Sequence, residues 1–185
     1  MPHKTSLLQH MVSLALAIFS ALLISQNALA HPTQRTIATV LYVTDGDTIK
    51  VKINGRKESV RLIGIDAPES RANDRAYKQA LRSRADLETI LALGKQSKQF
   101  LSQRLPASST VQLEEDVQPR DRYGRLLAYV YLPNGMMVNE EILISGYASV
   151  LTIPPNVRYV ERFTRAAKEA RKAKRGLWTA SGFAP

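Results

Sequence analysis

The sequence predicts an α+β fold, a five-stranded Greek-key β-barrel of the OB type carrying about three helices. Two observations predict it. Three short β-rich runs follow one another through Asp45-Gly46 and Asn54-Gly55, and two more follow a long helical stretch. No internal repeat or low-complexity linker interrupts them, so one domain accounts for the chain after its leader.

The elements come in this order. Residues 1–30 read as a signal peptide: Lys4 is the positive start, Met11 to Ile24 is almost wholly apolar, and Ala28-Leu29-Ala30 is a small-x-small cleavage pattern. Cleavage after Ala30 leaves residues 31–185 as a secreted or periplasmic domain with no stable membrane association, expected to be a monomer. Thr36 to Val43 is β-branched and apolar, and Thr48 to Ile53 alternates, with Ile49, Val51 and Ile53 on one face. Asn54-Gly55 tolerates the positive φ of a type I′ turn, and Val60 to Ile65 is the third strand, stopping before Pro68. Residues 70–84 are polar and basic with no clear apolar stripe. Asp86 to Leu105 has helical spacing in Leu87, Ile90, Leu91, Leu101 and Leu105, with Gly94 as an expected break. Thr110 to Glu115 and Arg125 to Leu132 are the last strands. Asn139 is the expected N-cap of a short helix ending at Gly146, and a basic helix follows from Val157 to Arg175.

Composition removes whole classes of chemistry. The chain has no cysteine, so export brings no disulfide. Its three histidines are His3, His10 and His31, and only His31 survives processing. Cys/His zinc sites and histidine-activated nucleophiles are thereby excluded, leaving carboxylates, arginine, lysine, tyrosine or a bound metal. Net charge is +10, of which only Lys4 lies in the leader, and so basic a domain points to a polyanionic partner.

Asp45, Asp47, Asp66 and Glu69 flank strand ends, with Arg61 between them. A meander returns the third strand to where the first stopped, so the two acid pairs face each other. Phosphodiester cleavage needs a nucleophilic water, neutralised charge on phosphorus and an eased leaving group. A hard divalent ion such as calcium takes oxygen ligands, for which Asp47 and Asp66 are the natural pair. Glu69 suits the base or water-positioning role. Arg61 suits gripping phosphate oxygens, and a second arginine must come from elsewhere. An EF-hand fails on spacing, since Ile49, Lys50 and Arg56 stand where its ligands and glycine belong.

Three motifs carry a resemblance: Val43-Thr44-Asp45-Gly46-Asp47-Thr48, then Arg61-Leu62-Ile63-Gly64-Ile65-Asp66-Ala67-Pro68-Glu69, then Asp121-Arg122-Tyr123-Gly124-Arg125. With Val138-Asn139-Glu140 and Gly176-Leu177-Trp178 they resemble the staphylococcal nuclease (thermonuclease) family in order and approximate spacing, from about Thr36 to Trp178. The resemblance implies an OB-type barrel and calcium-dependent hydrolysis of DNA and RNA, leaving 3′-phosphate ends. It implies Asp47, Asp66 and the Ala67 carbonyl as Ca2+ ligands, with Asp45 in support. Arg61, Glu69 and Arg125 become the catalytic residues, and Tyr123 and Arg122 bind substrate.

Two departures stand out. Residues 70–93 are longer than the corresponding stretch of the best-known member and are basic, and are expected to form a flap over the nucleic-acid groove through Arg75, Lys78 and Arg82. Thr152 stands near the place of a nucleotide-stacking tyrosine, whose loss costs on the order of 1–3 kcal/mol per base. The alternative reading is a non-catalytic OB-fold protein that only binds nucleic acid. The full set of five catalytic and ligand side chains argues against it.

Overall fold

The computed structural model describes residues 35–179, which lie within one compact unit. The signal-peptide reading falls outside them. β1 (Arg35–Asp45), β2 (Thr48–Ile53) and β3 (Arg56–Leu62) form the expected antiparallel meander. Its second turn places Asn54 and Gly55 at φ of 48° and 83°, as a type I′ hairpin needs. β5 (Thr110–Glu114) pairs antiparallel with β1 and with β6 (Leu126–Tyr131), and β6 runs parallel to β3, closing a barrel in the order β1-β2-β3-β6-β5. Alternating Val40, Ile49, Val51, Val60, Leu62, Val111, Leu113, Ala128 and Val130 fill its interior.

The third strand departs from expectation. It begins earlier than Val60 and ends at Leu62. Gly64, at φ 81°, turns the chain out of the barrel. Ile65–Asp66 (β4) then pairs with Ser149–Val150 (β7) in a separate two-stranded ladder. Asp66 thus stands on a different sheet from Asp47.

Four α-helices and a 3-10 turn at Gly176–Thr179 replace the about three helices expected: α1 (Asp74–Ser83), α2 (Leu87–Arg104), α3 (Val138–Ile144) and α4 (Val160–Lys172). α1 comes from the basic stretch that lacked an apolar stripe. It buries only Ala76, Gln79 and Ala80, and Asn73 caps it through bonds from the Arg75 and Ala76 amides. Ala76 and Ala80 pack with Ile90 of α2 as a small second core.

α2 is not broken at Gly94. A Cβ there would lie 2.2 Å from the Glu69 carbonyl oxygen, so glycine lets the helix press against the loop that carries Glu69. Asn139 is not a helix cap either. Met137 holds the cap position, and Asn139 is fully buried inside the first turn. Its Oδ1 accepts from the Val130 amide at 2.8 Å, and its Nδ2 donates to the Ile63 carbonyl at 2.9 Å. Asn139 therefore staples β6 to the chain just after β3, giving buried backbone groups there a side-chain partner. The last helix is shorter than predicted, and its buried face is Phe163, Ala166 and Ala170.

A candidate acid-and-arginine site at the barrel mouth

The site forms where β1 passes into β2 and where the chain leaves the barrel after β3 to form β4. Thr48 pairs with Arg61 across the β2–β3 ladder, so Asp47 and Arg61 meet at one strand end. Asp47 is nearly buried, and its carboxylate is fully engaged. Oδ1 accepts from the Thr48 hydroxyl at 2.8 Å, and Oδ2 accepts from the Ala67 amide at 3.2 Å and faces Arg61 Nη2 at 3.0 Å. Arg61 Nη2 also reaches Asp66 Oδ1 at 3.2 Å, so one guanidinium bridges the two sheets.

Arg61 is anchored on its other side. Nη1 donates to the carbonyls of Ile65 at 2.9 Å, Leu62 at 3.3 Å and Asp47 at 3.4 Å. Burial lowers its pKa, the charges of Asp47 and Asp66 raise it, and the like charges of Arg75 and Arg125 lower it further. The net direction is downward, with burial the largest cause.

Glu69 is held by the loop around it. Its amide donates to Gln79 Oε1 at 2.9 Å, its Oε2 accepts from Asn73 Nδ2 at 2.9 Å, and Gly94 brings α2 against its carbonyl. Burial pushes its carboxyl above the ordinary value, the Asn73 hydrogen bond and Arg75 pull it back, and the charges of Asp45 and Asp47 push it up again. The net is upward. Asp45 supports the same loop from behind, its Oδ1 accepting from the Gly46 amide at 2.9 Å and the Ser70 amide at 3.2 Å. The Ala67 carbonyl, an expected metal ligand, accepts from Gln79 Nε2 at 3.2 Å, which leaves it one lone pair.

Arg125 is fixed by a residue the motif analysis left without a role. Asp121 Oδ2 accepts from Arg125 Nε at 2.7 Å, and its Oδ1 accepts from the amides of Tyr123 and Arg125 at 2.9 and 3.0 Å. Burial pushes the Asp121 carboxyl up, but Arg125 and these amides outweigh it and leave it below its ordinary value. Tyr123 is exposed, with the guanidinium carbons of Arg122 and Arg125 at 4.8 and 5.6 Å from its ring centre. Its hydroxyl accepts from Arg122 at 2.7 Å. The three form an exposed cationic and aromatic cluster. Thr152 is exposed and borders a groove with Val157, Arg158, Arg162 and Arg165.

The largest surprise is Arg75. Of the three bases expected on a flap, Lys78 and Arg82 are exposed, but Arg75 turns inward onto the acids. Its Nη2 bonds to Asp66 Oδ1, its Nε lies 3.3 Å from Glu69 Oε1, and Nη2 is 4.0 Å from Asp47 Oδ2. Burial lowers its pKa, but Asp66, Asp47 and Glu69 outweigh that and raise it overall. Among the described residues no three metal-ligating side chains are drawn onto one another, because these carboxylates are drawn onto guanidinium groups instead. The donor set is nonetheless all oxygen and already holds positive charge, the chemistry a hard divalent cation requires. The residues fit such an ion in kind. Asn73, Arg75, Gln79 and Asp121 carried no signature of these roles, and only the Asn73-Asp74 cap pattern could have announced α1.

Known proteins resemble this chain over the same span. Residues 59–180 match the family described as staphylococcal nuclease homologue. A thermonuclease of Staphylococcus hyicus is 36% identical over 140 residues, covering 76% of this chain and 74% of that protein. Endonuclease YncB of Bacillus subtilis is 36% identical over 141 residues, covering 75% of this chain and 60% of that one. An uncharacterized Bacillus anthracis protein is also 36% identical, over 78% of this chain and 61% of its own length. The chain thus spans under two thirds of two of these relatives.

Proposed function

The chain belongs to the staphylococcal nuclease homologue family, and we propose that its site is that of a calcium-dependent nuclease. It hydrolyses phosphodiester bonds of DNA and RNA with little sequence specificity and leaves 3′-phosphate ends. The observation that carries this reading is the meeting of Asp47, Asp66 and Glu69 with Arg61 at one barrel mouth, within the electrostatic reach of Arg125.

The geometry supports the following roles. Asp47, Asp66 and the free lone pair of the Ala67 carbonyl would hold the cation. Bound calcium would neutralise charge on the phosphate and orient it. Arg61, immobilised by three carbonyls, presents a fixed positive charge to a phosphate oxygen, and Arg125, braced by Asp121, supplies the second. Glu69 orients the attacking water and accepts its proton, helped by a carboxyl raised through burial. These groups address phosphates, which are alike at every step, so sequence preference is weak. Export after cleavage at Ala30, a monomeric state and a preference for single-stranded or locally opened substrate belong to the same proposal.

The test is purified protein mixed with plasmid, single-stranded DNA and RNA, in calcium or in chelator. Calcium-dependent degradation should be lost in chelator and fall by at least about a hundredfold in Glu69→Gln and Arg125→Ala. Binding without cleavage under every metal tried would replace this reading with a non-catalytic nucleic-acid-binding barrel.

A further inference from the structure

Arg75 belongs to none of the motifs that define the site, yet its guanidinium occupies the centre of it. It touches the same three carboxylates that the proposed function gives to the cation and the attacking water: Asp66, Glu69 and Asp47. Among the described residues its side-chain bonds run to those acids alone, and the side chain is 38% exposed. Arg61 is the contrast, 8% exposed and tied to three backbone carbonyls. One arginine is part of the frame, and the other can leave it.

We propose that Arg75 is a resident counter-ion of the carboxylate site, holding the acids together when no divalent cation is bound and leaving them when one binds. The inference rests on the metal-dependent reading above. A divalent ion takes carboxylate oxygens at about 2.3–2.6 Å. An ion so close to Asp66 Oδ1 competes with both guanidinium groups bonded to it, since like charges repel strongly in a partly buried setting. Of the two, Arg61 is held by three backbone carbonyls while Arg75 is not. The cation therefore displaces Arg75, and Arg75 weakens the apparent affinity for it. Asn73 and Gln79 hold α1 against the Glu69 loop independently of Arg75, so the side chain can swing out while the helix stays. Outside the acids, its charge is released at the edge of the same site. It then becomes a third arginine available to phosphate, present only once the cation is seated. Cation and nucleic acid would thereby favour each other's binding reciprocally.

The test is titration of the metal-free protein with Ca2+ by calorimetry, without nucleic acid, for the natural chain, Arg75→Gln, Arg75→Met and Arg75→Lys. Removing the charge should tighten calcium binding by at least about tenfold, while Arg75→Lys stays within about threefold of the natural chain. Thermal denaturation supplies an independent readout: the neutral variants should lose stability without calcium and regain most of it with calcium. The methionine variant keeps the alkyl stem should glutamine fail to fold. Equal or weaker calcium binding by the neutral variants overturns the counter-ion role and leaves the metal-dependent reading standing. Absence of calcium binding in every variant overturns both.

Discussion

Replacing Gly94 with alanine separates two physical expectations of opposite sign. Helix propensity alone favours alanine inside α2 by about 1 kcal/mol. The packing says otherwise. The new Cβ would lie 2.2 Å from the Glu69 carbonyl oxygen and 2.3 Å from its carbonyl carbon, against ordinary contacts of 3.4 Å or more. Backbone stands on both sides, so no side chain can yield, and α2 and the Glu69 loop must part by about 1 Å. Overpacking of that kind costs about 1–3 kcal/mol, which cancels or exceeds the propensity gain. The catalytic effect should be larger, because a displacement of about 1 Å at a reacting group can cost roughly a hundredfold in rate. Urea denaturation and steady-state kinetics on the purified variant measure both. We expect stability lower by up to about 2 kcal/mol, kcat lower by about a hundredfold and KM changed little. A variant more stable than the natural chain, with undiminished kcat, would refute the claim that Gly94 sets the position of Glu69.

Two other substitutions probe the frame. Asn139→Ala strips partners from the buried Val130 amide and Ile63 carbonyl, and should cost about 3 kcal/mol in denaturant unfolding while activity per folded molecule is retained; a loss under about 1 kcal/mol would rule out the staple. Glu114 tests pH dependence. Burial pushes its carboxyl up, but the Tyr159 hydroxyl, the Arg158 guanidinium and the Tyr131 hydroxyl outweigh burial and hold it below its ordinary value. The unfolded chain therefore takes up the proton first as pH falls, so the stabilisation is present above about pH 4.5 and is lost below it as the folded-state value is passed. Glu114→Gln should be less stable at pH 7, and the gap should narrow below pH 4.5 in thermal scans; a gap independent of pH would count against the assignment.

The strands were legible because alternation and turn chemistry agree. Ile49, Val51 and Ile53 alternate, and Asn54-Gly55 can follow only a tight hairpin path. The acids and Arg61 stood out because their residue types suit one chemistry, whereas Arg125 came only from the family resemblance. What escaped was held by tertiary contact rather than local pattern. α1 has no apolar stripe because its buried face is two alanines and Gln79, whose amide serves the Ala67 and Glu69 backbone. Asn139 resembles a cap in sequence because cap and staple use the same side-chain amide, and only the closed barrel decides between them. Gly94 looked like a helix breaker for a similar reason: its cause lies some 25 residues away at Glu69, a close approach of backbones that local spacing cannot encode.

The small ladder of Ile65–Asp66 with Ser149–Val150 has a consequence for how the site is kept to gauge. Asp47 is mounted on the barrel and Asp66 on this second ladder, so the opening between them works like a caliper with its jaws on separate parts. Arg61 spans the jaws through Asp47 Oδ2 and Asp66 Oδ1, and Ser149 steadies the outer jaw by donating to the Asp66 carbonyl at 3.2 Å. A chain shortened before residue 149 would keep every acid and arginine named for the chemistry. It would still lack the strand against which one jaw is set, and a complete inventory would measure the wrong width.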